Sequence, residues 1–203
     1  MDKIIKSVDR IGKDYLDKSF SFHRGTNKFV AKSADMSKAV NSRKIEAEQV
    51  NVIKFFDDIW LYIEIKYLPR TDKKKKVPNI FFSLSVFQGD SYDDKKIQLF
   101  RAEWDNYDEP SDKHPQPHWH IYTKKEERKK DFKDEIEESS SFETFLEDKN
   151  TLNINKFHFA MNAQWSEKKP DVHSVLVEND LINWFEGLLN HLKQELEYVK
   201  KKK

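Results

Sequence analysis

Three stretches of this chain alternate residue by residue between apolar and polar side chains: IWLYIEIKYL (59–68), IFFSLSVF (80–87) and IQLFRAEWD (97–105). Successive side chains of a strand point to opposite faces, so this pattern dictates strands rather than helices. In the first, Leu61, Ile63, Ile65 and Tyr67 oppose Trp60, Tyr62, Glu64 and Lys66. In the second, Phe82, Leu84 and Val86 oppose Phe81, Ser83, Ser85 and Phe87. In the third, Phe100, Ala102 and Trp104 oppose Leu99, Arg101, Glu103 and Asp105. Short polar segments join them, TDKKKKVPN (71–79) and GDSYDDKK (89–96), which points to an antiparallel meander.

More strands flank this core. HWHIYT (118–123) and TLNINKFHFAMNAQW (151–165) alternate too, and FSFHRGTNKFVAK (20–32) reads as two short strands around the turn formers Gly25, Thr26 and Asn27. The stretch before Asp57 is ambiguous, because Ile45, Gln49, Val52 and Phe56 have helical spacing while VNVIKFF (50–56) suits a strand. The reading adopted is a helix from about Ser37 that gives way to a strand near Val50. Ile4, Val8, Ile11 and Tyr15 mark an amphipathic helix over residues 2–18. A second, long one carries Leu181, Phe185, Leu188, Leu192, Leu196 and Val199, with Asn179 or Asp180 as its cap and four lysines (200–203) at its end. The sum is one α+β domain over residues 1–203: an antiparallel sheet of about five or more strands with the N- and C-terminal helices packed on one face. The charge-balanced segment 124–150 is expected to be a solvated helix and a partly mobile loop.

With 37 basic and 36 acidic residues the formal net charge is +1, so bulk electrostatics select neither nucleic acid nor an acidic ligand. The absence of cysteine excludes disulfides, thiolate metal sites and cysteine nucleophiles. The first residues lack the apolar run of a signal peptide, and no stretch has the length of a membrane span. A cytoplasmic protein with no membrane partner is expected. The lysine runs 73–76 and 200–203 read as a solvated loop and a helix terminus rather than a nucleic-acid patch.

If the apolar sides all face one core, the polar sides meet on the other surface. That surface would hold Arg101, Glu103, Asp105, His118, His120, His158, Asn162 and Gln164, over a floor of Ser83 and Ser85 and beside Tyr62, Glu64 and Lys66. An exposed antiparallel face is polar by default. Here, however, His-x-His and Arg-x-Glu-x-Asp concentrate ionisable groups beside a loop stiffened by Pro110, Pro115 and Pro117, as a preorganised site requires. His114 is a further candidate from that loop, whereas His23, His173 and His191 are expected to be unrelated. Two chemistries stay open. His118, His120 and either Glu103 or Asp105 make a two-histidine, one-carboxylate set for a divalent metal. Alternatively, the paired histidines exchange protons without metal, while Arg101 or Lys66 stabilises a phosphate or an oxyanion.

FRAEWDNYDEPSDKHPQPHWHI (100–121) resembles uncharacterised bacterial families, some of toxin–antitoxin operons and others of defence neighbourhoods. These carry an Arg-x-Asp/Glu strand, a loop and an HPxxHxHI-like strand. The matching positions are Arg101, Glu103, Asp105, His114, His118 and His120. The resemblance implies a nucleic-acid-directed or anti-phage role. Two functional expectations follow: an enzyme acting on a phosphodiester or nucleotide, as a nuclease or phosphodiesterase would, or a non-catalytic subunit or sensor bound to a protein partner in a bacterial assembly.

Overall fold

The computed structural model describes residues 2–43, 47–68, 79–105, 117–122 and 178–201. His114, His158, the segment 124–150 and the expected strand at 151–165 lie outside the described residues. The elements run α1 (Asp2–Tyr15), β1 (Ser21–Arg24), β2 (Lys28–Lys32), β3 (Met36–Ser42), β4 (Ala47–Phe56), β5 (Ile59–Leu68), β6 (Asn79–Gln88), β7 (Ile97–Asp105), β8 (His118–Ile121) and α2 (Glu178–Lys201). All eight strands join one antiparallel sheet, so the fold is α+β as the alternation dictates. The expected helix cap residues, Asn179 and Asp180, sit inside the first turn of α2.

The helix expected from Ser37 is not formed. Met36–Ser42 is strand β3, paired along its length with β4 from Met36↔Ile53 to Ser42↔Ala47. A few apolar residues at helical spacing also fit a twisted strand, and the long-range ladder decides between them.

Strand β5 explains where this hairpin goes. One side of β5 pairs with β6 over its whole length. The other side is shared: Glu64–Lys66 pair with β2, while Ile59–Leu61 pair with the end of β4. Only that end of β4 pairs with β5. The rest leaves with β3 and folds over the face away from the helices. Ser42 N–H donates to Gln98 Oε1 (2.7 Å), Ser85 Oγ to Asn41 Oδ1 (2.9 Å) and Lys96 Nζ to Ser37 Oγ (2.6 Å), which ties β3 to β6 and to the start of β7.

Each face therefore has its own core. On one, Ile4, Val8 and Ile11 of α1 and Leu181, Phe185, Leu188 and Leu192 of α2 cover Leu61, Ile63, Phe82, Leu84 and Phe100. Phe82 meets Trp184 and Phe185 with ring centroids 5.2 and 5.3 Å apart. Gly12 admits the ring of Phe20 against α1, where an added Cβ would lie 2.2 Å from Cδ1. On the other face, Ala39, Val50 and Val52 of the hairpin pack on Trp60, Tyr62 and Phe87. The polar sheet surface expected to be open is thus partly roofed. One assignment shifts as well. A register irregularity at Val86/Phe87 pairs Phe87 with Gln98, so Gln98 takes the hairpin side and Leu99 joins the helix-side core.

Candidate metal centre

Strands β7 and β8 pair with Glu103 opposite His118 and Arg101 opposite His120. Even spacing sends all four side chains to the hairpin side, opposite Trp104 and Trp119. Trp119 packs on Phe100 at 5.6 Å between centroids, while Ile121, on the same side by alternation, is exposed. The geometry of the cluster is tight. His120 Nε2 lies 2.9 Å from Glu103 Oε2, His118 Nε2 lies 3.4 Å from the same oxygen, and the two Nε2 atoms are 2.9 Å apart.

These three separations fit a single cation. A metal about 2.1 Å from each donor, with ligand angles between octahedral and tetrahedral, requires donors about 3.0 to 3.4 Å apart. Proton accounting points the same way. Two Nε2 atoms 2.9 Å apart cannot both present an N–H to each other, so at least one offers a lone pair. A cation accepts both lone pairs and the carboxylate together.

Glu103 divides its two oxygens. Oε2 serves the histidines, while Oε1 lies 2.6 Å from Arg101 Nε. Burial opposes ionisation of this carboxyl, but hydrogen bonds from His118 and His120 and the charge of Arg101 outweigh it and hold it well below the ordinary glutamate range. Arg101 is itself braced: NH1 donates to Ser42 O (2.9 Å) and to Tyr122 Oη (2.5 Å), and Tyr122 Oη–H donates to the same carbonyl (2.7 Å). The Arg101 guanidinium thus links the hairpin to the Glu103 carboxylate and orients it. Burial pushes the Tyr122 phenol up, which keeps it a donor.

The other expected residues divide. Asp105 shares the face but stands one pair further on, opposite Phe81, and is not among the three converging donors. Ser83 and Ser85 form a fully buried floor, as the alternation suggests. Glu64 is fully buried too, held by Arg43 NH2, Tyr62 Oη–H (3.0 Å), Lys66 Nζ (3.4 Å) and, at 4.0 Å, Lys28 Nζ. His23 bonds Ser21 on exposed β1, and His191 lies on α2, both away from the cluster. Lys200 pairs with Asp57 (3.1 Å) and Asp58 (2.5 Å), a structural use of one lysine of the terminal run.

Sequence reading missed Asn41, Ser42, Arg43 and Tyr122. Tyr122 was legible, since it continues the even spacing of His118 and His120. The other three fall in or beside the stretch read as helix, where no face was assignable. No helix among the described residues is long and apolar enough to cross a membrane. Comparison with protein-family models, characterised proteins and solved structures found no match, so the functional reading rests on this geometry.

Proposed function

We propose that the protein is a single-metal hydrolase acting on a phosphodiester or nucleotide, with Glu103, His118 and His120 as ligands of one divalent cation. The observation that carries this reading is the convergence of two histidine nitrogens and the oxygen of a braced carboxylate, 2.9–3.4 Å apart. Nitrogen and oxygen donors suit zinc, manganese or ferrous iron. Three protein ligands leave coordination positions for water and substrate, and the cation would supply a bound hydroxide and polarise a phosphoryl oxygen. Arg101 is a positioning residue in this scheme. Its known contacts engage Glu103, Ser42 and Tyr122. Such an activity suits the toxin or anti-phage setting implied by the resemblance of residues 100–121.

The same 2.9 Å contact between the histidines also suits a metal-free proton relay, so the decisive experiment measures metal first. Chelator-stripped protein, titrated with zinc and manganese and assayed by elemental analysis, is expected to bind one equivalent. Hydrolysis of bis(p-nitrophenyl) phosphate and of nucleic acid should follow metal occupancy and vanish in His118→Gln and His120→Gln. Hydrolysis in fully stripped protein would establish the relay instead. Metal without hydrolysis would favour the non-catalytic subunit or sensor.

A further inference from the structure

Beside the candidate metal centre lie buried donors that nothing among the described residues answers. Among the described residues, Asn41 Nδ2, Arg43 Nε and Ser83 Oγ are buried with no hydrogen-bond partner, and Arg101 Nε, likewise, has only its ion pair with Glu103. Asn41 and Ser83 are fully buried residues. Their neighbours place all three in the layer between the hairpin and the sheet floor. Asn41 accepts through Oδ1 from Ser85 (2.9 Å) and Gln98 (3.2 Å), both floor residues. Arg43 donates through NH2 to Glu64 of the floor. Ser83 stands on the central strand of one rung, Glu64↔Ser83↔Glu103↔His118, so it is the direct neighbour of the metal-ligand carboxylate.

The chemistry of the orphaned atoms is one-sided. An amide NH2 and a guanidinium N–H only donate, and a serine hydroxyl donates as readily as it accepts. Native folds rarely leave several buried polar atoms unanswered in one place. An acceptor-rich ligand would answer all three. Charge agrees: Lys28, Arg43, Lys66 and Arg101 face the buried carboxylates of Glu64 and Glu103, with Glu48 and Asp105 at the margin. Arg43 and Lys66 both lie over the ring of half-buried Phe81, at 5.5 and 5.4 Å from its centroid, which leaves two cations side by side. Burial, and after it the neighbouring Arg43 and Lys28, lowers the Lys66 ammonium, a sign of cations crowded together.

We propose that Asn41, Arg43 and Ser83, with Lys66 at the rim, form an oxyanion subsite that takes a phosphoryl group of the substrate next to the cation on Glu103, His118 and His120. This deepens the hydrolase reading and rests on it for the reaction, but the subsite itself is testable without metal. Several acceptor oxygens on one group match several donors of one layer, which favours phosphate over a single carboxylate.

The test is calorimetric and thermal titration of metal-stripped, full-length protein with inorganic phosphate, with acetate as the comparison at equal ionic strength. Phosphate should bind and raise the melting temperature, and acetate should not. Ser83→Ala removes an unpartnered hydroxyl, so it should leave the ligand-free melt unchanged or higher while weakening phosphate binding about tenfold. Arg43→Gln should weaken it by at least about tenfold. The double variant His118→Gln/His120→Gln should bind phosphate as the parent does while losing metal. Phosphate bound without a metal site in the parent would remove the hydrolase reading and keep the subsite. Metal bound without phosphate would do the reverse. Undiminished phosphate binding in both Ser83→Ala and Arg43→Gln, or acetate binding equal to phosphate, overturns the proposal.

Discussion

On the helix side of the sheet, Phe82, Leu84, Phe100 and Trp104 meet Trp184, Phe185 and Leu188; on the hairpin side, the same strands bury Glu64, Ser83, Arg101 and Glu103 almost as completely. The first face is held by non-directional burial, in which each large side chain contributes roughly 1.5–3 kcal/mol. The second depends on specific partners, because a buried charge is tolerable only while its counter-charge and hydrogen bonds remain in place. A chain keeps such a costly face when the arrangement of its polar groups has a use.

The comparison breaks most visibly at Phe82. Phe82→Ala should cost about 3–5 kcal/mol in urea unfolding, as buried aromatics do. The fraction that remains folded should still bind one metal equivalent, because Phe82 touches only the helix side. A loss of metal at full folding would show that the two faces are coupled.

Next in size is Glu103→Gln, which leaves Arg101 without its counter-charge and should cost about 3 kcal/mol. The double change Arg101→Met/Glu103→Met should recover most of that stability while metal stays unbound. Failure of the double variant to recover would mean that Arg101 matters chiefly through Ser42 and Tyr122.

The third expectation concerns pH. The Glu103 carboxyl is lowered in the folded state from an ordinary value of 4.5. Its contribution is therefore present above that value and disappears as pH falls through the lower folded one. In chelator, the stability gap between the parent and Glu103→Gln should be level above about pH 5.5 and narrow as pH falls below 4.5. A gap that widens in acid would contradict the assignment.

The smallest stability effects belong to the histidines, whose side chains are 18% and 28% exposed. His118→Gln and His120→Gln each disturb one hydrogen bond to Glu103 and should each cost about 1 kcal/mol. Each should weaken metal binding by more than about a hundredfold, beyond the loss typical of outer-shell changes. Equal metal binding in both variants would sink the centre.

Much of this was readable in advance. The strands at 59–68, 80–87 and 97–105 match β5, β6 and β7 to within a residue, because a long alternating run suits only one period. The same parity put Glu103, His118 and His120 on one face, where the pairing of β7 with β8 brings them together. Parity puts Asp105 on the same face but does not give the rung, and it is not among the three donors that lie close together. The misassigned stretch was Ser37–Val50, whose apolar residues are too few to discriminate between periods.

What the sequence determined by itself is the allocation of side chains to faces within regular strands, since the pleat fixes alternation locally, whereas the bulge that moved Leu99 and Gln98 came from pairing. The tertiary structure alone decided that the polar face would be roofed. The roof exists because β2 and β4 share one edge of β5, which sends the rest of β4 and all of β3 over Ser83, Ser85 and Arg101. Which strand occupies an edge depends on contacts between residues far apart in the chain. Local periodicity carries no information about them, and so the burial of this polar sheet surface could be seen only in the folded protein.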